Sequence, residues 1–366
     1  MSEGYTYQFL ALRGVQAGRE YFVGMCPLKL IPRIFLFNED ELPAELRAQR
    51  ILNRARVPEI TRYLLNNPTD YVFSSITASV DGEVDFAPLA LHGHGRNAGL
   101  LTIPMSSRFL INDGQHRRAA IEEALHQNPR MGDETISVVF FVDAGLRRSQ
   151  QLFSDLNTHA VRPTRSIGIL YDHRDPMAQL TLSLIRKAPI FDGLTEVEKT
   201  TISNRSTKLF TLSGVFQATQ AFLGRKATAA TQESDLVDAL AYWTLLGNLI
   251  PEWKLAIKRE ASAANLRRDF IHSHGVTLHA LGHVGNAVLG SNQNSWMKRL
   301  RPLEKIDWRR SNMVWEGRAL IRGHMSKASE SVLLTACMIK QVLGLPLNDE
   351  ESRLEISMTD LRKRQI

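Results

Sequence analysis

The sequence predicts an α+β protein in two parts, a mixed α/β domain over residues 1–165 and a mainly helical region over 166–366. Two observations carry this division. Up to Leu156, strand-like and helix-like segments alternate; beyond Ser166 the strand signals fade and helical apolar spacing takes over. A third observation marks the centre of the first part. Between Phe109 and Ala120 an apolar run stops, a tight polar turn follows, and a helix running to about Leu125 starts at once.

Tyr7–Leu12 and Arg19–Cys26 read as strands separated by Gly14 and Gly18, a hairpin with a longer loop. Leu28–Phe37 is apolar but interrupted by Pro32, which predicts an edge strand or packed loop. Leu42–Leu65 has helical spacing, with Pro58 bending or dividing it. Arg47, Arg50 and Arg54 share one face of that helix, either solvated or set against phosphate. Tyr71–Val80 returns to strand character and ends at Asp81-Gly82. Pro88–Gly99 reads as a loop holding His92 and His94, which lack an acidic partner close in sequence for a metal. Leu100–Pro104 and Arg108–Ile111 are extended, Ile136–Val142 is a strongly apolar strand, and Arg147–Leu156 is helical.

In the second part, helices are predicted at Met177–Arg186, Leu212–Phe222, Ser234–Leu249 and Ser329–Leu343, with Gly224–Thr231 as a polar linker. Trp243, Leu246 and Ile250 suit a buried face. His279 and His283 can share a helical face, but His-Ala-Leu-Gly-His lacks the glutamate of a zinc hydrolase motif, and Gly275, Gly282 and Gly285 weaken the helix. With His272 and His274 they read as structural histidines. Basic stretches lie at Lys254–Arg268, Lys298–Arg310, Arg318–Lys327 and Arg362–Arg364. Trp296, Trp308 and Trp315 among them read as core anchors.

The formal charge is +7, which favours anionic partners without choosing among nucleic acid, an acidic protein and a membrane surface. Two cysteines, Cys26 and Cys337, provide neither a disulfide framework nor a cysteine-based metal cluster. A polar start and the lack of an apolar run of about 18 residues predict a cytoplasmic protein without a membrane span.

The chemistry concentrates in the central turn. Asn112 and Asp113 carry acceptors suited to capping a helix, and Gly114 allows a backbone angle that a side chain would block. His116, Arg117 and Arg118 crowd the first helical turn, where the dipole disfavours cations. Three readings stay open: a plain strand–turn–helix braced by ion pairs, a phosphate-handling turn, and acid/base chemistry through Asp113 and His116.

Asp113-Gly114-Gln115-His116-Arg117 is the signature of the DGQHR-domain proteins, and the chain resembles their DndB branch, associated with DNA sulfur modification. The resemblance extends to Phe153–Asn157, Arg162-Pro163-Thr164, Asn204–Phe210 and Ile306-Asp307-Trp308, and so covers almost the whole chain. The broad family is distantly similar to ParB N-terminal domains and sulfiredoxins, which implies a ParB/sulfiredoxin-like fold for residues 1–165. The Gly114–Arg118 turn looks like the ParB phosphate-binding box, and Asp155–Pro163 like its later box. Gln115 stands at the position of the sulfiredoxin cysteine.

What the resemblance implies is a cytoplasmic, nucleoid-associated repressor of the DNA phosphorothioation genes. It would bind double-stranded operator DNA as a homo-oligomer, with phosphorothioation proteins as further partners and no sulfur transfer of its own. The implied DNA- or phosphate-binding set is Gln115, His116, Arg117, Arg118, Asn157, Arg162, Arg165, Arg205 and Lys208. No metal and no cofactor is predicted; a nucleotide is the one small ligand left open. The rival readings are a ParB-like nucleotide-binding or phosphodiester-hydrolysing enzyme using Asp113, His116 and Arg117, and a scaffold for the modification enzymes.

Overall fold

The computed structural model describes residues 5–35, 54–143, 148–158, 163–224, 231–290, 293–326 and 328–364. The chain is mixed α/β and divides into two compact units, Met1–Val161 and Arg162–Ile366.

The first unit is built on a mixed seven-stranded sheet of order β4-β5-β1-β2-β7-β3-β6. Strands β1 (Thr6–Gln16) and β2 (Arg19–Pro27) form a hairpin. Its turn is tighter than predicted. Gln16 pairs with Arg19, and Ala17 and Gly18 both have positive φ, the backbone of a two-residue turn that matches strand twist. Leu28–Ile34 is a short 3-10 turn followed by helix α1 (Ile31–Ile34), not a strand, because Pro32 sits in the first turn where its missing N–H costs nothing. The same chemistry places Pro58 at the start of α2 (Val57–Asn66) instead of at a bend within it. Arg47 and Arg50 lie outside the described residues.

Strand β3 (Ile76–Asp81) begins five residues later than predicted and is buried on both faces, between β7 (Thr135–Val142) in parallel and β6 (Arg108–Asp113) in antiparallel pairing. Just ahead of the Pro88–Gly99 loop the chain also forms β4 (Asp85–Pro88), which the sequence did not predict, paired to β5 (Ala98–Pro104). Helices α3 (Gln115–Gln127) and α4 (Ser149–Thr158) complete the unit. Its core joins Phe9, Phe22, Ile76, Val80, Ile103 and Phe140 from the sheet with Ile121 and Ala124 from α3.

The second unit is mainly helical. In order it contains α5 (Arg165–Tyr171), α6 (Pro176–Lys187), α7 (Leu212–Leu223), α8 (Glu233–Leu249), α9 (Pro251–Ile257), α10 (Ala263–Asp269), α11 (Gly275–Leu289), α12 (Gln293–Leu300), α13 (Ser329–Leu343) and α14 (Asp349–Arg364). Two two-residue ladders join Thr195–Glu196 to Phe210–Thr211 and Leu320–Ile321 to His324–Met325. Helix α11 runs unbroken through its glycines. Gly282 lets α11 approach α7 so closely that a Cβ would lie 2.2 Å from the Ala218 carbonyl oxygen. All five tryptophans are buried in this unit, and Trp308 stacks on Trp315 at 5.6 Å. Trp253 donates to His272 Nδ1 at 3.0 Å and Trp296 to the Val288 carbonyl at 3.0 Å, so the aromatic content of the basic stretches belongs to the core.

Candidate functional site

The central turn is narrower than its sequence implies. Strand β6 continues through Asp113, and Asn112 is the extra residue of a β-bulge: Ala78 pairs with Ile111, but Thr77 pairs with Asp113. The Asn112 side chain is buried and donates to Ser79 Oγ at 2.8 Å, so it holds the bulge instead of capping the helix. Asp113 does not cap it either. The N-cap is Gly114 itself, without a side-chain cap bond, at φ 110°. A Cβ there would meet Ile76 Cγ1 at 3.0 Å and the Arg117 guanidinium at 3.1 Å, so both the dihedral and the space require glycine.

With glycine at the N-cap, no N-cap side chain covers the first turn of α3, and a cation stands beside it. Arg117 bonds Asp113 Oδ2 at 2.7 Å, the Ser75 carbonyl at 3.1 Å and the Ser74 hydroxyl, and its Nε is buried without a hydrogen bond. Burial lowers the His116 pKa, assisted by Arg56 and Arg117 and opposed by Asp113. At neutral pH the imidazole therefore offers hydrogen bonding and no charge. Gln115, His116 and Arg117 are all partly exposed at this end of α3.

Arg118 departs from its expected role. It is 8 % exposed and donates to the carbonyls of Phe35 at 2.9 Å and Pro32 at 3.2 Å and to Glu122 at 2.5 Å. Its guanidinium ties α3 to the end of α1, where it satisfies orphan carbonyls and is neutralised by its own chain.

The other expected contacts fall in different places. The Asn157 side chain and all of Arg162 lie outside the described residues. Arg165 opens α5, exposed, with its guanidinium 6.0 Å from the Phe216 ring centre. Arg205 and Lys208 stand on a loop, residues 203–208, that precedes α7. Arg205 is exposed, while Lys208 Nζ donates to the Gly193 carbonyl at 2.9 Å. The loop is held by a residue the sequence placed only within a long basic stretch. Arg267, 9 % exposed, donates to the carbonyls of Ser203 at 2.9 Å, Asn204 at 3.3 Å, Ser206 at 3.0 Å and Lys208. Its pairing with Arg268 gave no sign of this. Nor did Ser74 and Ser75, which sit ahead of a strand and reach the turn only through the fold.

Among the described residues, no group of three or more His, Cys, Asp or Glu is placed to hold a metal ion, and no helix is long and apolar enough to cross a membrane. Cys26 and Cys337 are both buried and unpaired, and burial pushes their thiols up to about 12 and about 11.

Compared with protein families, the chain matches the model of DndB, described as DNA-sulfur modification-associated, over residues 9–346. The chain belongs to the DndB family. That membership links both units to DNA sulfur modification, since the match runs across the sheet unit and through α13 of the helical unit. No curated protein and no solved structure matches the chain.

Proposed function

We propose that this DndB-family chain is a DNA-binding repressor of the DNA phosphorothioation genes, acting on double-stranded operator DNA as a homo-oligomer without itself transferring sulfur. The observation that carries the reading is the family match over residues 9–346. The chemistry of the chain is compatible with it. A formal charge of +7 supplies the long-range attraction to phosphate. The first turn of α3, N-capped by glycine, lies next to Arg117, a combination of helix start and cation suited to a backbone phosphate. The raised thiol pKa values leave Cys26 and Cys337 protonated and poorly suited to accept or pass on sulfur.

In this reading Gln115, His116 and Arg117 contact phosphate at the turn, and Arg165, Arg205 and Lys208 supply further contacts from the helical unit. Asn157 and Arg162 join them on the strength of the family motif. A ParB-like ancestry of the sheet unit belongs to the same proposal. So does self-association, for which the outer face of the β1–β2 hairpin is the candidate surface: Leu10, Leu12 and Met25 are 73 %, 61 % and 55 % exposed there. Modification enzymes are the further partners the reading allows, and the cytoplasm, at the nucleoid, is where it would act.

A reporter fused to the promoter of DNA phosphorothioation genes tests this. Supplying the protein lowers reporter output, and Gly114→Glu, which fills the turn and sets a carboxylate against phosphate, restores it. Reporter output unaffected by the wild-type protein contradicts repression.

A further inference from the structure

The helical unit contains a cavity of about 880 Å³, within the range of small-molecule sites (about 300–1,000 Å³). Among the described residues, three arginines line it, Arg267, Arg268 and Arg310, and no aspartate or glutamate does. The nearest compensation is partial. Arg268 pairs with Asp269, which is not part of the wall, at 2.8 Å. Among the described residues, the Arg267 and Arg310 guanidiniums bond backbone carbonyls, Arg310 reaching Gly323 at 3.0 Å and Arg268 at 3.5 Å. Carbonyl dipoles satisfy N–H donors without cancelling charge, so Asp269, which also acts electrostatically on Arg310, is one carboxylate set against three arginines, and a cavity concentrates the field that remains.

Helix geometry adds to the same sign. Gly275 at the start of α11 and Ser329 at the start of α13 both line the cavity, and neither helix has a side-chain cap bond at its N-terminus. Two long helices thus open toward one carboxylate-free space already walled by arginines. The remaining wall is of two kinds. Asn204, Gln217 and Asn265 bring amides that donate and accept, and Ile202, Phe210 and Met325 bring apolar surface. The cavity far exceeds the size of a bare inorganic anion, and an apolar wall would be wasted on one.

We propose that this cavity is a binding site for a nucleoside phosphate, whose phosphates meet Arg267, Arg268, Arg310 and the opening turns of α11 and α13 while the base lies on the apolar and amide wall. The ligand is a small molecule taken up without DNA, so the site stands or falls apart from operator recognition.

Calorimetric titration of the full chain in the absence of DNA tests the assignment, using ATP, GTP, CTP and UTP, with pyrophosphate as the probe of the anion seat alone. At least one nucleotide binds saturably and more tightly than pyrophosphate, and raises Tm. Arg310→Ala, at a partly exposed position, weakens it about tenfold, the effect of losing one charged contact. Gly275→Glu separates binding from folding. No atom lies within 4 Å of a Cβ built there, and a carboxylate in the first turn favours the helix, so Tm holds or rises while nucleotide binding is lost. The proposal is overturned if no nucleotide binds at millimolar concentration, if binding survives both substitutions, or if pyrophosphate binds as well as every nucleotide. It is equally overturned if nucleotides fail to bind but both variants lose affinity for duplex DNA, because the cavity then seats a backbone phosphate.

Discussion

Two arginine pairs, Arg117-Arg118 in the sheet unit and Arg267-Arg268 in the helical unit, look alike in sequence and are used alike up to a point. In each, one member is a buried brace that donates to backbone carbonyls: Arg118 to Phe35 and Pro32 at the short helix α1, Arg267 to the 203–208 loop. The other member pairs with a nearby carboxylate, Asp113 or Asp269. The difference lies in the brace. Arg118 also holds Glu122, so its charge is cancelled; Arg267 holds carbonyls alone, so its charge persists into the cavity. The turn that carries the recognisable motif is therefore the more compensated of the two regions, and the cavity without a motif is the less compensated. A motif marks where backbone geometry is demanding; it does not mark where charge is left over.

The largest expected effect that separates the units is acid. Burial holds His274 and His279 at about 4, well below their unfolded value of 6.5. The folded unit keeps them neutral while the unfolded chain takes up protons, so their stability is complete above about pH 6.5 and is lost as pH falls toward 4. Each contributes up to ~3 kcal/mol over that window. Because every tryptophan lies in the helical unit, tryptophan emission on acid titration reports that unit alone and should shift across this range.

Next in size are the braces. Arg267→Met strips the partner from a set of loop carbonyls and should cost about 3–4 kcal/mol in urea denaturation; Arg118→Met, whose Glu122 partner can rehydrate, should cost about 2–3 kcal/mol. A reversed order would break the comparison. Smaller again are the two helix-start glycines. Gly114→Ala should cost about 1–3 kcal/mol because φ 110° and the Arg117 contact forbid the methyl group, whereas Gly275→Ala should be neutral or stabilising by up to ~1 kcal/mol.

Much of this fold was legible in the sequence because periodicity and burial agree. Strand Thr135–Val142 alternates buried and less buried residues, and helix Ser329–Leu343 buries residues at helical spacing, as their apolar patterns predict. What escaped was set by long-range contacts. Leu28–Ile34 is apolar enough for a strand but is stopped by Pro32, and β4 is too short to show a period. The capping role read into Asn112 and Asp113 failed for a related reason. A bulge, visible only once β6 pairs with β3, turns Asn112 inward and leaves Gly114 as the cap. The turn itself was readable because Gly114 and the residues after it are contiguous. The cavity was not, since its arginines come from α10 and from the segment after Trp308, with the starts of α11 and α13 facing them.

DNA binding bears most directly on function, and there the effect of a single side chain is the smallest to be read. Fluorescence anisotropy with the operator duplex and a scrambled duplex, across a series of salt concentrations, measures sequence preference and phosphate contacts together. The account predicts at least ~10³-fold tighter binding to operator, with log K falling linearly in log salt. Arg117→Gln should reduce that slope by about 1 on both duplexes, the signature of one lost phosphate contact. Equal affinity for the two duplexes at every salt concentration, or a slope unchanged in Arg117→Gln, would contradict it.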